Sequence, residues 1–297
     1  MTVHEGEIPT GADVVRELLG EQCPQWAGLP LRRAGAGTEN VMFRLGDDLL
    51  VRLPRTVDRA GALRKEVRLL PRLAAGLTTT IPRPVYEGTP SVSYPAQWAV
   101  FDWIDGAEAG ASTVTDWAGF GADLAGFVRD LHAVPLDGAV RAGELSWYRG
   151  GDLAPCDEWI SRAFGECRPL IGDGPVDALE AIWRAGLVLP ASTAGHVWLH
   201  GDLKPTNLLV SGGRLSAVID FGAVSVGLPD AEHAAVWDLP GSARSAYRQS
   251  LDLDEVTWSR ARAWATAVAV SGISYYWETF PEFVAECRRR VAFLLES

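Results

Sequence analysis

The chain contains little lysine and little cysteine. Only two lysines, Lys65 and Lys204, stand among its 27 basic residues, so arginine supplies nearly all of the positive charge. The four cysteines are far apart and form no Cys-x-x-Cys pair, which argues against the common zinc and dithiol motifs. We therefore expect reduced, mostly buried thiols.

Long apolar runs are also missing from the sequence. The most apolar stretch, residues 263–277, is too short and too mixed with polar residues to span a bilayer, so it predicts a buried helix. Residues 1–5 lack the basic and apolar regions of a secretory signal, which favours a cytoplasmic protein. At 297 residues, with 47% hydrophobic and 22% charged, the chain is typical of a globular protein with a substantial core.

Negative charge is unevenly distributed along the chain. Residues 1–103 hold 12 basic and 12 acidic side chains, so the whole formal charge of −11 comes from residues 104–297. An acidic second part disfavours nucleic acid as a partner and attracts cationic small molecules. A solvated acidic surface explains the same excess equally well.

The first 103 residues predict a small sheet with helices. Apolar residues recur at helical intervals over 13–19 and over 58–77, where Pro71 should kink or split the helix. Four short apolar runs predict strands, the first two of them joined as a hairpin by Gly-Asp-Asp. The predicted strands are residues 41–45, 49–53, 84–87 and 97–101. A hinge at residues 102–106 ends this first lobe, for which we take residues 1–103.

Residues 104–297 predict a mainly helical second lobe. An amphipathic pattern begins at Trp117, with Thr115 or Asp116 as its N-cap, and continues to Leu131. The further predicted helices lie near residues 155–166, 175–187, 230–238, 254–278 and 281–295. A short β segment is predicted between residues 197 and 220.

One stretch carries the chemistry of phosphoryl transfer. It reads His-Gly-Asp-Leu-Lys-Pro-Thr-Asn at residues 200–207 and Ile-Asp-Phe-Gly at residues 219–222. A hydroxyl nucleophile needs a carboxylate that accepts its proton, for which Asp202 is suited, and a triphosphate needs Mg²⁺ held by oxygen ligands. Asn207 and Asp220 supply such oxygens, and a hairpin between them would present both together.

This pattern resembles the catalytic and metal loops of the protein-kinase-like superfamily. His-Gly-Asp in place of the His-Arg-Asp of protein kinases is similar to the aminoglycoside phosphotransferase family, including its macrolide-kinase-like members. The resemblance implies an α+β, bilobal protein-kinase-like fold with a small β-sheet N-terminal lobe and a mainly helical C-terminal lobe. It also implies Mg²⁺ as cofactor, ATP or GTP as phosphate donor, and a role for Lys204 at the transferred phosphate.

The resemblance extends to nucleotide-binding positions in the first lobe. Kinases hold the phosphates with a strand lysine paired to a helix glutamate, and here Arg52 and Glu66 have the suitable spacing. Arg55 as the phosphate ligand, or a surface Arg52, are the alternatives. The loop before the first predicted strand and the hinge complete the nucleotide site that the resemblance implies. Its members are Gly35, Gly37, Thr38 and Asn40 at the phosphates, and Asp102 and Ile104 at the purine.

The chain departs from the family pattern after residue 222. Relatives typically show Gly-Asp-Pro-x-x-Asp-Leu where this chain has residues 227–233, so the two aspartates are replaced by Leu228 and Glu232. The departure affects no residue with an assigned catalytic role. His132 also lies in a segment similar to a family helix and is interpreted as a satisfied core histidine.

Acidic residues of the second lobe are candidates for binding the acceptor. Residues 152–190 contain seven acidic and three basic side chains, which could pair with ammonium groups of an amino sugar, although solvated helix faces explain them equally well. The acceptor candidates are Asp152, Asp157, Glu158, Glu278 and Glu282, with Glu286 beside them. Tryptophans of this lobe could stack on a sugar or a macrolide ring, but core packing is their default role.

The leading hypothesis is an antibiotic O-phosphotransferase that acts as a monomer or homodimer, without a membrane or nucleic-acid partner. The alternatives are a metabolic kinase for choline, homoserine or a sugar, and a catalytically inactive nucleotide-binding module. A protein kinase is disfavoured because no Ala-Pro-Glu segment follows residue 220.

Overall fold

The structure, a computed structural model, describes residues 6–36 and 39–296 of the chain. The described residues fall into two compact units. The first comprises the described part of Met1–Ala75 with Thr80–Gly106 and Ala217–Gly222. The second comprises Gly76–Thr79, Ala107–Ser216 and the described part of Ala223–Ser297. The sequence placed a single boundary after residue 103, whereas the structure gives six residues around Asp220 to the first unit.

An antiparallel five-stranded sheet forms most of the first unit, in the order β1-β2-β3-β5-β4. Its strands are β1 (Leu31–Ala36), β2 (Asn40–Leu45), β3 (Leu49–Pro54), β4 (Pro84–Gly88) and β5 (Trp98–Asp102). Val41, Phe43 and Leu45 alternate toward the core along β2, as a strand with one buried face requires. The predicted hairpin is confirmed, because Leu45 pairs with Leu49 across its turn.

The described part of the first unit contains two α-helices, α1 (Ala12–Gln22) and α2 (Ala60–Ala74). Helix α1 buries Val15, Leu18 and Leu19. Helix α2 continues through Pro71 for three more residues, so the predicted split does not occur. Burial of leucines on both sides of Pro71 offsets the backbone hydrogen bond that proline cannot make.

Six α-helices form most of the described second unit. They are α3 (Trp117–Ala133), α4 (Asp157–Ile171), α5 (Asp173–Leu187), α6 (Gly241–Ser250), α7 (Glu255–Tyr276) and α8 (Pro281–Leu295). Asp116 is the N-cap of α3, since its carboxylate accepts the N–H of Gly119 at 3.0 Å. Helix α7 packs against α4, α5 and α8 and is buried along most of its length, as predicted for this stretch. No helix of the described chain is long and apolar enough to cross a membrane.

The remaining strands of the described chain are short. They are β6 (Ala107–Glu108), β7 (Val197–Leu199), β8 (Leu208–Ser211), β9 (Arg214–Val218) and β10 (Ser225–Gly227). Strand β7 pairs antiparallel with β10, and β8 lies between β6 and β9. The helix predicted near residues 230–238 is present as a 3₁₀ helix, Pro229–Asp238. His132 is not fully satisfied, because its Nε2 is buried without a partner among the described residues.

Candidate active site

The loop that follows β7 carries the His-Gly-Asp sequence. Gly201 has a left-handed backbone with φ of 82°, a conformation that side chains with a Cβ rarely adopt. A Cβ on Gly201 would also lie 2.8 Å from the carbonyl oxygen of Ala223. Glycine is therefore required before Asp202 for two independent reasons, strain and space.

Asp202 lies at the centre of a hydrogen-bonded loop. Asn207 Nδ2 donates to the main-chain oxygen of Asp202 at 2.8 Å and to its Oδ2 at 3.2 Å. Lys204 Nζ lies 3.8 Å from Oδ2, and Arg149 Nη1 lies 3.6 Å from Oδ1. Burial raises the pKa of Asp202, but Lys204, Arg149 and His200 together lower the pKa below its usual value. The carboxylate is ionised at neutral pH, and with 34% of its side chain exposed it can still accept a proton.

Lys204 lies beside the predicted base, as its place in the loop requires. Its ammonium is 5.5 Å from the ring centre of Phe283 on α8, close enough for a cation–π contact. Burial raises the pKa of Glu286, one turn further along α8, above its usual value, and the charge of Lys204 acts to lower it. Glu286 is therefore an acceptor candidate that interacts electrostatically with this loop.

Glu232 contacts the catalytic loop, a role that sequence reasoning missed. Its carboxylate accepts the main-chain N–H of His200 at 2.5 Å and that of Gly201 at 3.1 Å. Burial raises the pKa of Glu232 to about 7, although both N–H groups and Arg149 act to lower it. The sequence signal was its place in the pattern that the resemblance implies, at a position where the shorter aspartate is expected.

Arg149 was also missed, because it lies outside any motif. Its Nη1 donates to the carbonyl oxygen of Gly201 at 2.7 Å, and its Nε donates to the Tyr148 hydroxyl at 3.0 Å. The guanidinium therefore binds the carbonyl oxygen of Gly201, whereas Glu232 accepts the N–H groups of His200 and Gly201. No pattern in the sequence indicates this contact, which joins residues 52 positions apart.

The predicted pair of Arg52 and Glu66 is present in the first unit. Arg52 Nη1 on β3 lies 2.6 Å from Glu66 Oε1 on α2, and both side chains are buried. Arg52 Nη2 lies 3.4 Å from Asp220 Oδ1, and the N–H of Phe221 donates to Glu66 at 3.2 Å. Burial lowers the pKa of Arg52, but Glu66 and Asp220 raise it above the usual value, so the guanidinium stays charged. Arg55, the alternative, instead pairs with Glu7 at 3.1 Å.

The two predicted Mg²⁺ ligands differ in their surroundings. Asp220 has a left-handed backbone with φ of 66° and keeps 43% of its side chain exposed. Asn207 uses its amide nitrogen for Asp202, which turns its amide oxygen the other way. Carboxylate and amide oxygens are both ligand types that Mg²⁺ accepts, so each residue has the donor chemistry of its predicted role. The described residues contain no cluster of three His, Cys, Asp or Glu suited to an all-protein metal site.

The predicted phosphate loop and hinge are only partly described. Gly37 and Thr38 lie outside the described residues. Gly35 belongs to β1, which the sequence did not predict, at a point where the pairing with β2 is irregular. Asn40 begins β2. Asp102 ends β5, where its carboxylate accepts from Arg83 Nε at 2.5 Å, and Ile104 follows in the hinge.

The predicted acceptor residues have mixed surroundings. Asp157 accepts from Trp183 Nε1 at 2.8 Å and lies 3.7 Å from Arg184, so its carboxylate is engaged within the protein. Glu158 lies 3.5 Å from Arg162 on the exposed face of α4. The three other candidates, Asp152, Glu278 and Glu282, are exposed.

Known proteins give the site its context. A sequence profile described as the phosphotransferase enzyme family matches residues 30–264, whereas no curated protein matches the chain significantly. The GDP complex of wild-type aminoglycoside 2'-phosphotransferase-IIIa superposes with a TM-score of 0.80 at 21% identity, over 95% of this chain and 99% of that chain. The macrolide 2'-phosphotransferase from Brachybacterium faecium gives a TM-score of 0.64 at 22% identity, over 96% and 98% of the two chains.

These similarities confirm the predicted kinase-like α+β fold, with its sheet in the first unit and its helices in the second. The match to the family profile includes both predicted loops, residues 200–207 and 219–222. Because that profile covers most of the sequence, the chain belongs to the phosphotransferase enzyme family and is a phosphotransferase, as its motif predicted.

Proposed function

We propose that this phosphotransferase moves the γ-phosphate of ATP or GTP to a hydroxyl group of an antibiotic, with Asp202 as the base. The observation that carries the proposal is the loop at residues 200–207, which holds an ionised, partly exposed carboxylate between Lys204 and Arg149. Phosphoryl transfer requires such a carboxylate to orient the hydroxyl and accept its proton. In this proposal Oδ1 of the partly exposed Asp202 carboxylate accepts the proton.

The other loop residues act on the phosphate. Lys204 provides a compact positive charge near the base, suited to the transferred phosphoryl group. Asn207 and Asp220 offer the oxygens that would hold Mg²⁺, which when bound neutralises charge on the phosphates. The amide of Asn207 also fixes the Asp202 side chain through its nitrogen, so it serves both groups.

The first unit binds the nucleotide in this proposal. Arg52, held by Glu66, takes the place of the usual strand lysine at the α- and β-phosphates. Main-chain groups at Asp102 and Ile104 contact the purine. Solved structures with this fold hold GDP, ADP and ATP, which supports a nucleoside triphosphate as donor and leaves both bases as candidates.

The acceptor is proposed to be an aminoglycoside or another cationic antibiotic. Proteins of this fold were solved with kanamycin and with gentamicin, and others are macrolide 2'-phosphotransferases. The acidic excess of residues 104–297 favours an acceptor that carries an ammonium group, and Glu286 on α8, whose pKa the Lys204 charge acts to lower, is a candidate partner for that group.

A screen of nucleotide consumption identifies the acceptor. Aminoglycosides, macrolides, choline, homoserine and simple sugars are each tested with ATP and with GTP in the presence of Mg²⁺. Turnover with an antibiotic supports the proposal. Turnover with a metabolite alone identifies a metabolic kinase, and nucleotide binding without any transfer identifies an inactive module.

Asp202→Ala tests the base. We expect turnover to fall by about 10² to 10⁴, the usual contribution of a positioned base, with nucleotide affinity by calorimetry within a few-fold of wild type. Asp177→Ala, which removes an exposed carboxylate on α5, is the control and should keep full turnover. Unchanged turnover in Asp202→Ala would remove this residue from the mechanism.

A further inference from the structure

Gly201, the residue before Asp202, is held at both of its main-chain polar groups. Its N–H donates to the buried Glu232 at 3.1 Å. Its carbonyl oxygen, which belongs to the peptide group that leads into Asp202, accepts from Arg149 Nη1 at 2.7 Å. A rotation of that peptide group would redirect the Asp202 side chain, so the Arg149 contact bears directly on it.

Arg149 is itself immobilised by an aromatic platform. Its Nε donates to the Tyr148 hydroxyl, and its guanidinium carbon lies 5.5 Å from the Tyr148 ring centre. The Tyr148 ring contacts those of Trp147 at 5.2 Å, Trp159 at 5.5 Å and Trp264 at 6.1 Å. Only 20% of the Arg149 side chain is exposed. A surface arginine would be mobile and hydrated, whereas this one is fixed before any substrate arrives.

The two carboxylate oxygens of Asp202 have different partners. Oδ2 accepts from Asn207 and is the oxygen nearest to Lys204. Oδ1 faces Arg149 Nη1 at 3.6 Å, a distance that allows attraction but no hydrogen bond. Arg149 therefore attracts Oδ1 without making a hydrogen bond to it.

We propose that Arg149 is a positioning residue for the phosphotransferase reaction, which orients the Gly201 peptide and presents Oδ1 of Asp202 to the acceptor hydroxyl. The inference rests on the proposed role of Asp202 as base. Arginine is required because the planar guanidinium reaches the Gly201 carbonyl with one nitrogen and the Tyr148 hydroxyl with another. Lysine has a single nitrogen and cannot keep both contacts in this geometry.

Steady-state kinetics of Arg149→Ala, Arg149→Lys and Tyr148→Phe test the inference. The reaction is transfer to the best acceptor of the screen, or to water where no acceptor is found. We expect kcat to fall about 10- to 100-fold in Arg149→Ala and several-fold in the two conservative variants, with the nucleotide KM within about two-fold, because positioning contributes to the transition state rather than to nucleotide binding. Arg141→Met is the matched control, since Arg141 donates to the Trp147 carbonyl in the same segment without reaching the loop.

Rescue by a free guanidinium separates positioning from structural support. Millimolar guanidinium or methylguanidinium should restore part of kcat in Arg149→Ala and none in Asp202→Ala. If Arg149→Ala does not fold, as judged by thermal melting, the kcat and KM of Arg149→Lys decide the matter. Wild-type kcat in a folded Arg149 variant, or a kcat loss that guanidinium does not restore, overturns the inference. Full activity of Asp202→Ala would instead overturn the proposed function.

Discussion

The side-chain carboxylate of Glu232 accepts main-chain N–H groups of the loop at residues 200–207. The two N–H groups that it accepts belong to His200 and Gly201, immediately before Asp202. Where relatives are expected to carry aspartate, the longer glutamate reaches both donors and remains buried. Its burial raises the pKa of Glu232 to about 7, so this anchor combines a strong contact with an unfavourable buried charge.

Replacing Glu232 should affect both stability and turnover. Glu232→Ala leaves two main-chain donors without their acceptor, which costs about 1–3 kcal/mol for each buried donor. We expect a lower free energy of unfolding in urea and a lower kcat with nearly unchanged nucleotide affinity. Glu255→Ala is the control, because Glu255 is exposed beside Arg248 and should cost well under about 1 kcal/mol. Equal stability of the two variants would contradict the anchoring role.

Arg52 stands where the kinase resemblance implies a lysine, in a chain that contains only two lysines. A lysine at this place could contact one carboxylate at close range, whereas the guanidinium of Arg52 lies near Glu66 with one nitrogen and near Asp220 with another. The arginine at position 52 therefore links β3, α2 and the segment around Asp220 within the first unit.

At the scale of elements, Gly150 and Gly227 allow the 3₁₀ turn Tyr148–Gly150, which carries Arg149, to pack on β10. A Cβ on Gly227 would lie 2.5 Å from both the Cα and the carbonyl oxygen of Gly150. The N–H of Leu228 also donates to the Gly150 carbonyl at 2.9 Å. The main chains therefore touch directly, which places Arg149 relative to the strand that pairs with β7.

Gly227→Ala should displace that turn. Overpacking of this kind costs about 1–3 kcal/mol, and because Gly150 follows Arg149 we expect kcat to fall as well. Urea unfolding and steady-state kinetics measure the two effects. Gly165→Ala in α4 is the control, since no atom lies within 4 Å of its added Cβ and alanine favours the helix by up to about 1 kcal/mol. A stable, fully active Gly227→Ala would show that the contact is not required.

The sequence predicted those elements whose burial follows a regular period. Helices α3, α7 and α8 and the β2–β3 hairpin were found this way. Helix α6 was missed because its sequence is polar and it buries only Ala243 and Tyr247. The helix at Pro229–Asp238 has no clear apolar period, since its buried residues include Asp230, Glu232 and His233, so the sequence did not indicate its 3₁₀ type.

The candidate site divides in the same way. Asp202, Lys204, Asn207 and Asp220 could be predicted because they lie in two short motifs with fixed spacing. Glu232 and Arg149 could not, since tertiary folding brings them to Gly201 from 31 and 52 positions away. The motifs indicate the groups that are proposed to react. The residues that contact those groups from elsewhere in the chain depend on how the chain packs.

At the scale of the whole molecule, stability should depend on pH through three buried groups of the second unit. Burial lowers the pKa of His132 to about 3 and that of His233 to about 4, so both are neutral in the folded protein. Burial acts in the opposite direction on the carboxyl group and raises the pKa of Glu232 to about 7. His233 shares a hydrogen bond of 2.8 Å with the Tyr247 hydroxyl, and its ring centre lies 5.8 Å from that of His132.

Acidification from pH 6 to pH 5 should therefore act on stability through His132 and His233. In that range the unfolded chain protonates both histidines near pH 6.5 while the folded chain does not, which lowers the free energy of unfolding by up to about 1.4 kcal/mol per histidine and pH unit. Glu232 opposes this, because the folded protein binds its proton near pH 7 and the unfolded chain only near pH 4.5. Glu66 and Glu286, whose pKa values burial also raises, act in the same direction as Glu232. His132→Leu should therefore reduce the acid destabilisation by up to about 1.4 kcal/mol per pH unit relative to the wild type, and Glu232→Gln should increase it by a similar amount, as measured by urea unfolding at each pH. An unchanged slope in His132→Leu would contradict the assignment.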